Sequence, residues 1–293
     1  MKYDKSKAVL PTKVENKNHL EVTGLYAVLR GFRHPDFIFR GEYHASWELV
    51  YVIKGHMEAS ADDRVYELKS GDMILHKPME FHTLKTLGKS SAEILIITFS
   101  MDGGLSHELK NKVFHPVGSA LSALKMLMET LDKNGSKESL LDSVDYLVVL
   151  CAALPKQLVF TQLEAFLLML LYTESATLPT VKNEASELYS KIVEILEENV
   201  YGWIPISEIA RKCNRSESTI KSCFKNYTGC GIHKYLLKIK MRTAIKLLHS
   251  GMSVGQVSEA LGFEDANYFS TVFKREMGIS PLEYKSGDFF EYY

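Results

Sequence analysis

The side chains best suited to chemistry lie near the carboxyl end of the sequence, on one face of a predicted helix. Apolar residues recur there at helical spacing, at Phe269, Val272, Phe273 and Met277. The opposite face carries an amide, two hydroxyl groups and an ammonium group, from Asn267, Tyr268, Thr271 and Lys274. Amides and hydroxyls bond to base edges, whereas cations hold phosphates. The pattern predicts a helix that docks into DNA.

The residues around this helix would fix its position. Gly262 permits the backbone conformation of a tight turn, and Asp265 is placed to cap the helix that follows. Gly278, followed by Pro281, would end that helix. The glycine of the turn, the residue that caps the helix and the glycine that ends it are therefore spaced as in a helix-turn-helix unit.

The same design occurs about one half-domain earlier in the chain. Four positions that begin at Ile206 match four that begin at Val254, at an offset of 48 residues. Five positions that begin at Ile220 match five that begin at Phe269, at an offset of 49. The simplest interpretation is that the chain contains two copies of one helix-turn-helix unit. The alternative, a helical bundle without a DNA role, explains neither the duplication nor the polar faces.

The segment between the two copies predicts a stiff connecting helix. It runs from Gly231 to His249, which is 19 residues and about 28 Å at the rise of an α-helix. Successive major-groove faces on one side of B-DNA lie roughly 34 Å apart. Ser253 and Gln256 form a capping-box pattern for the helix that follows. One chain would therefore present two recognition helices to adjacent groove segments.

Charge supports a nucleic-acid partner locally. The whole chain has 35 basic and 36 acidic residues. Residues 205–285 hold 13 basic and 7 acidic residues, a net charge of +6, and the remainder holds 22 and 29, a net charge of −7. A basic module on an acidic remainder is the asymmetry expected when one part meets phosphate.

Residues 190–285 resemble the DNA-binding domain of the arabinose-regulator (AraC/XylS) family of transcription factors. The motifs F-K-x-x-x-G, P-x-x-Y and Y-F carry the resemblance, most strongly over Gly262–Lys285. The resemblance implies base-edge contacts from six residues: Ser218, Lys221, Ser222, Asn267, Tyr268 and Thr271. Lys225 and Lys274 would instead hold phosphates. Thr271 and Ser222 stand where family members often have Arg, and without Arg at Thr271 strong guanine readout by the second helix is not expected. Lys240 stands where the connecting helix usually has Arg, which would weaken a bidentate contact there.

The amino-terminal third predicts a β-structure. From Phe37 to Phe99, short runs of alternating apolar and polar residues are broken by Gly and charged turns, which suggests a small barrel or sandwich. This part resembles the cupin-type sensor domain often found in the same family. The residues that carry the resemblance are His44, Glu48, Gly55, Gly71, Pro78 and His82.

The cupin resemblance leaves two interpretations of the barrel open. Cupin enzymes hold a transition metal with histidines and a glutamate, and His44, Glu48 and His82 could bind a divalent ion even though Glu42 replaces the first histidine. The favoured interpretation is a non-enzymatic sensor without a metal or cofactor, whose polar residues line the barrel mouth and bind a small-molecule effector. The effector-site candidates are Arg40, His44, Trp47, Glu48, His76 and His82.

The middle segment, 106–182, is predicted to be helical. Three apolar stripes suggest three helices, which begin near Leu121, Val144 and Leu163, and their surplus of apolar surface suggests a homodimer contact. Residues 173–185 are predicted to be the interdomain linker. Met1–Leu20 has no apolar signal core, and Pro155 interrupts the most apolar stretch, so no membrane partner is expected. The four cysteines form no C-x-x-C pair, which fits a reducing cytoplasm.

The sequence thus predicts a multidomain α and β chain: a cupin-like β-barrel at 1–105, a helical dimerisation and linker region at 106–182, and an all-α DNA-binding domain with two helix-turn-helix units at 187–293. The expected function is a sequence-specific transcription regulator that binds double-stranded promoter DNA and a small-molecule effector, with RNA polymerase as a further partner. The alternatives are a metal-dependent cupin enzyme with a DNA-binding appendage and an effector-independent DNA-binding protein whose barrel is purely structural.

Overall fold

Two antiparallel β-sheets form the amino-terminal part of the chain. The computed structural model describes residues 19–139, 146–150, 153–173, 176–177 and 183–286. The strands of the first hundred residues are β1 (Glu21–Arg33), β2 (Ile38–Glu42), β3 (Trp47–Lys54), β4 (His56–Ala61), β5 (Arg64–Lys69), β6 (Met73–His76), β7 (His82–Thr86) and β8 (Ala92–Asp102). Four further strands follow: β9 (Val113–Phe114), β10 (Gly135–Ser139), β11 (Tyr146–Leu150) and β12 (Ala176–Thr177). The sheet orders are β10-β11-β1-β8-β3-β6-β9-β12 and β2-β7-β4-β5.

Alternation along the strands places one apolar set between the two sheets. Val50, Val52 and Ile94 of the large sheet belong to the same buried cluster as Met57 and Tyr66 of the small sheet. The other face of the large sheet is covered by α1 (Gly118–Asn134) and α2 (Ala153–Tyr172). The predicted cupin-like fold with a helical extension is confirmed.

The middle segment differs from its prediction. The described part of the second apolar stripe is not a helix, because Tyr146–Leu150 is strand β11 and pairs with both β1 and β10. Val144, where the stripe begins, lies outside the described residues. A short run of Leu and Val is compatible with both a helix and a buried strand. Here the segment is a strand because it pairs with the free edge of β1. The large sheet therefore extends beyond the predicted barrel boundary at residue 105. Pro155 lies in the first turn of α2 rather than between two helices. Residues 174–175 and 178–182 of the predicted linker, and Cys151, lie outside the described residues.

Seven helices form the carboxyl-terminal domain. They are α3 (Glu184–Glu198), α4 (Ile206–Cys213), α5 (Glu217–Thr228), α6 (Ile232–His249), α7 (Val254–Ala260), α8 (Ala266–Met277) and α9 (Pro281–Ser286). Helices α4 and α5 are the first helix-turn-helix unit, α7 and α8 the second, and α6 connects them. The apolar faces of these helices share one buried cluster. None of the helices in the described ranges combines the length and apolar character needed to span a bilayer.

The predicted caps and turns of this domain are confirmed. Ser253 and Gln256 form a reciprocal capping box at the start of α7. Asp265 caps α8 by accepting hydrogen bonds from the Asn267 and Tyr268 N–H groups. Gly262, with φ +68°, makes the turn. Helix α6 has 18 residues, which corresponds to a length of about 27 Å.

Lys240 of α6, which stands where related sequences usually have Arg, has a structural role. Its side chain is fully buried, and Nζ donates hydrogen bonds to the Val200 carbonyl at 2.8 Å and the Leu261 carbonyl at 2.6 Å. The Trp203 ring centroid lies 4.6 Å from the same nitrogen. One ammonium group therefore joins the end of α3 to the turn of the second unit.

The stability of the domain is expected to rise with pH because of Lys240. Burial lowers the pKa of Lys240 to about 8, whereas an unfolded lysine titrates near 10.4. Between these values the unfolded state binds more protons, so the free energy of unfolding should increase by about 2 kcal/mol from pH 7.5 to 9.5. Urea unfolding of the wild type and of Lys240→Met over this range tests the effect. A pH slope that is the same in both proteins would contradict it.

Candidate nucleic-acid interface and effector site

Each recognition helix is held by a local cap and presents a polar face outward. The Ser216 hydroxyl accepts the Thr219 N–H at the start of α5, as Asp265 does for α8. Inward, Ile220 and Phe224 of α5 correspond to Phe269 and Phe273 of α8, and all four side chains are fully buried. The repeat found in the sequence thus supplies the same inward anchors to both helices.

All eight side chains predicted to contact DNA are exposed. They are Ser218, Lys221, Ser222, Lys225, Asn267, Tyr268, Thr271 and Lys274. Lys221 is paired with Glu217 at 3.0 Å, and the Thr271 hydroxyl donates to the Asn267 carbonyl at 2.9 Å. Within the described residues, the Asn267 side-chain amide makes no hydrogen bond, so its donors and acceptor are available to a base edge.

The barrel packs against the DNA-binding domain through the hairpin turn between β4 and β5. The Asp62 carboxylate lies 2.6 Å from Arg242 of α6 and 3.4 Å from Lys77. The Asp62 carbonyl accepts the Tyr189 hydroxyl of α3 at 2.5 Å. Thr83 of β7 donates to the Tyr227 carbonyl at the end of α5, at 3.0 Å. The contacts therefore reach the connecting helix and the first recognition helix together.

Inside the barrel, imidazoles and carboxylates form a compact cluster. The ligand atoms of Glu42, His44, Glu48 and His82 all lie within 4.8 Å of one another. His76 stacks on His82 with ring centroids 4.4 Å apart, and its Nδ1 lies 3.2 Å from Glu80. Four of the predicted effector-site residues, His44, Glu48, His76 and His82, are thus brought together.

The protonation states of His82 and Glu48 suit a cation. Burial lowers the pKa of His44, but the hydrogen bond and charge of Glu48 outweigh it and raise that pKa overall. His82 Nδ1 lies 3.0 Å from the Glu80 carbonyl, which can only accept, so Nδ1 carries the proton and Nε2 has a free lone pair. That buried Nε2 makes no hydrogen bond to the described residues, and Glu48 Oε1 lies 3.5 Å from it. Burial, together with His76, lowers the pKa of His82 to about 4, so the ring is neutral near pH 7. Burial raises the pKa of Glu48, but the His44 hydrogen bond and nearby imidazoles outweigh it and lower the pKa overall.

This donor set fits a divalent transition metal. Neutral imidazole and carboxylate are the ligands such ions accept in cupin-like sites, and an Nδ1–H bond to a carbonyl orients the ligand ring. Glu42, His44, Glu48 and His82 would hold the ion. An ion there would supply positive charge between two carboxylates.

A cavity of about 660 Å³ lies between the barrel and the second helix-turn-helix unit. His44 and Trp47 line it from the barrel, and Met277 and Tyr284 line it from the other side. Trp47 is itself almost fully buried, so it belongs mainly to the barrel core. Arg40, the remaining predicted effector-site residue, is exposed and lies against Gly229 at the end of α5, away from this cavity.

The sequence reasoning missed the residues that join the two domains. Asp62, Tyr43 and Arg242 have ordinary local patterns, and only the folded chain brings them together across 180 residues of sequence or more. One signal was available for Glu42, which stands at the position of a metal ligand and is itself an acid.

Comparisons with known proteins agree with this architecture. A helix-turn-helix domain model matches residues 209–287, and a cupin domain model matches residues 35–98. The HTH-type transcriptional activators RhaR of Escherichia coli and Shigella flexneri are each 24% identical over 276 residues, covering 88% of this chain and 91% of theirs. ToxT from Vibrio cholerae, solved with an unsaturated fatty acid bound, is 15% identical with a TM-score of 0.36, over 90% of this chain and 96% of that one.

Fold and site together define a DNA-binding transcription regulator with two helix-turn-helix units. The helix-turn-helix and cupin domains, with the similarity to RhaR over 88% of the chain, support an AraC-type regulator with an amino-terminal cupin domain. The resemblance stated from the sequence is confirmed.

Proposed function

We propose that α5 and α8 read promoter DNA in adjacent major-groove segments. The observation that carries this proposal is the exposure of both polar faces while both helices pack on α6. The α6 length of about 27 Å is close to the groove repeat of roughly 34 Å. Ser218, Lys221, Ser222, Asn267, Tyr268 and Thr271 would contact bases, and Lys225 and Lys274 would hold phosphates.

Two single substitutions should separate base reading from phosphate holding. Lys274→Ala should weaken binding to all sequences alike and lower the slope of log affinity against log salt by about one unit, because one phosphate contact is lost. Asn267→Ala should relax preference at one base position, at a cost of about 1–3 kcal/mol. Binding titrations against a randomised-site library, at two or more salt concentrations, measure both effects. Identical behaviour of the two variants would refute the assignment.

We infer that a small-molecule effector binds in the cavity between the barrel and the second unit. A ligand in this cavity would touch both domains and would therefore bind one arrangement of the two domains better than another. Its binding would shift the equilibrium between these arrangements. A bound compound should raise the melting temperature and change the affinity for DNA together. A compound that raises the melting temperature with no change in DNA affinity would show that the cavity does not regulate the chain.

We further propose that the chain acts as a cytoplasmic homodimer. Apolar side chains remain exposed on α1 and α2, at Met126, Leu158, Leu168, Met169 and Tyr172, and large exposed apolar patches often mark interfaces between subunits. The relatives are transcriptional activators, which supports activation and a contact with RNA polymerase at the promoter. Sedimentation of the full chain tests the dimer.

A second candidate role is cation binding in the barrel, favoured by the buried Nε2 of His82, which lies 3.5 Å from Glu48 Oε1 without forming a hydrogen bond. A metal-dependent enzyme and a cation-responsive regulator would both use this cluster. Metal analysis combined with a DNA titration distinguishes them. Bound iron in a chain with no salt-sensitive DNA affinity would overturn the regulator and favour the enzyme.

A further inference from the structure

The loop between β2 and β3 carries neighbouring side chains that face different parts of the molecule. Glu42 and His44 belong to the cluster inside the barrel. Between them, Tyr43 faces the DNA-binding domain. The cause is local: Gly41 has φ +88°, and the β2–β7 pairing shifts register between Phe39 and Glu42. Such a bulge redirects the strand, and alternate residues beyond it point to opposite sides.

Tyr43 contacts two helices of the DNA-binding domain. Its hydroxyl donates to the Met277 Sδ at 3.6 Å, and the Lys238 Nζ lies 5.7 Å from its ring centroid. Met277 is the last residue of recognition helix α8, and Lys238 lies on connecting helix α6. A displacement of Tyr43 would therefore change the contacts at the carboxyl end of recognition helix α8.

The backbone of the same loop is tied to the seam between the domains. The His44 carbonyl accepts the Met79 N–H at 2.7 Å, and the Met79 carbonyl lies 3.5 Å from the Arg242 guanidinium. Exposure differs across the cluster: Glu48 and His82 are buried, whereas Glu42 is exposed. A cation would draw the exposed end of the cluster toward its buried end, and the loop with it.

We propose that this loop couples cation binding at Glu42, His44, Glu48 and His82 to the position of the second helix-turn-helix unit, with Tyr43 as the positioning residue. The proposal rests on the proposed DNA-binding function. Coupling between two sites in one protein commonly changes affinity by about 5- to 150-fold. The cation should therefore change the affinity of the full chain for DNA at least about fivefold. By linkage, DNA should change the cation affinity by the same factor.

Co²⁺ is a suitable probe, because its visible absorption reports binding directly. The full chain is titrated with Co²⁺, and DNA affinity for a site selected from random sequences is measured by fluorescence anisotropy with and without the metal. Tyr43→Ala should bind Co²⁺ with an unchanged spectrum, while the metal-dependent change in DNA affinity falls below about twofold. Met277→Ala removes the contact from the other side and should give the same loss. Tyr26→Ala, which lines the same cavity from the barrel, is the matched control and should keep the full change.

Several results would overturn the proposal. One is a Tyr43→Ala or Met277→Ala protein whose DNA affinity still responds to Co²⁺ as the wild type does. Others are a wild-type chain that binds Co²⁺ without any change in DNA affinity, or one that binds no Co²⁺ while binding DNA normally. If Tyr43→Ala fails to fold, Tyr43→Phe decides, because it keeps the ring and removes only the hydroxyl bonded to Met277. A chain without salt-sensitive DNA affinity would instead refute the proposed function itself.

Discussion

Replacing Phe273 by Ala should unfold the second helix-turn-helix unit and abolish specific DNA binding. The Phe273 side chain is fully buried, and its ring centroid lies 5.8 Å from that of Phe269 and 5.9 Å from that of Tyr284. Emptying a buried phenylalanine site costs about 3–5 kcal/mol. Since whole domains are stable by only about 5–15 kcal/mol, this loss removes a large share of the free energy that keeps the second unit folded.

Denaturant unfolding and hydrogen exchange over residues 254–285 would measure the loss. The matched control is Tyr268→Ala, an aromatic deletion on the same helix at a side chain that is 53% exposed. This control should change the free energy of unfolding by about 1 kcal/mol or less while still weakening DNA binding. Equal destabilisation by the two variants, or an unchanged melt for Phe273→Ala, would show that Phe273 is not a core anchor of the unit.

The carboxyl-terminal domain was predictable because its determinants are local. A cap needs a residue such as Asp265 within one turn of its targets, and a tight turn needs Gly262 at one position. The inward positions of α8 follow from a period of 3.6 residues. Each of these rules acts within a short window of sequence, so the bounds of α6, α7 and α8 follow closely from the residues alone.

Features set by long-range pairing were not predictable in the same way. The stripe near Val144 becomes strand β11 because β1 offers it a sheet edge more than a hundred residues earlier in the chain. Nothing in the local sequence of Lys240 indicates that its ammonium group is buried against the Val200 and Leu261 carbonyls, which lie far from it along the chain. Of the candidate effector residues, Glu48, His76 and His82 converge because strands β3, β6 and β7 carry them, and His44 joins them from the loop between β2 and β3. Arg40 instead lies at the seam between the domains.

Breaking the buried ion pair between Asp62 and Arg242 should loosen the seam between the domains while leaving each core intact. Their side chains are only 11% and 17% exposed, and their charged atoms lie 2.6 Å apart. Removing one partner of a buried pair costs about 3–5 kcal/mol. In the Arg242→Met variant, Lys77 still lies 3.4 Å from Asp62 and partly compensates its charge. We therefore expect the free energy of unfolding to fall by the lower figure, about 3 kcal/mol.

A double-mutant cycle isolates this interaction from the loss of packing. Asp62 has φ +49°, a conformation that Asn tolerates better than Ala, so the cycle should combine Asp62→Asn with Arg242→Met. The coupling energy from denaturant unfolding should be about 1.5–3 kcal/mol. Asp63→Ala is the matched control, because Asp63 shares the turn but its side chain is 47% exposed and its ion pair with Arg64 is long, at 3.9 Å. This substitution should change the free energy of unfolding by no more than about 0.5 kcal/mol. A coupling energy near zero would mean that the packing of Phe81 and Val65 on the helices, rather than this pair, holds the domains together.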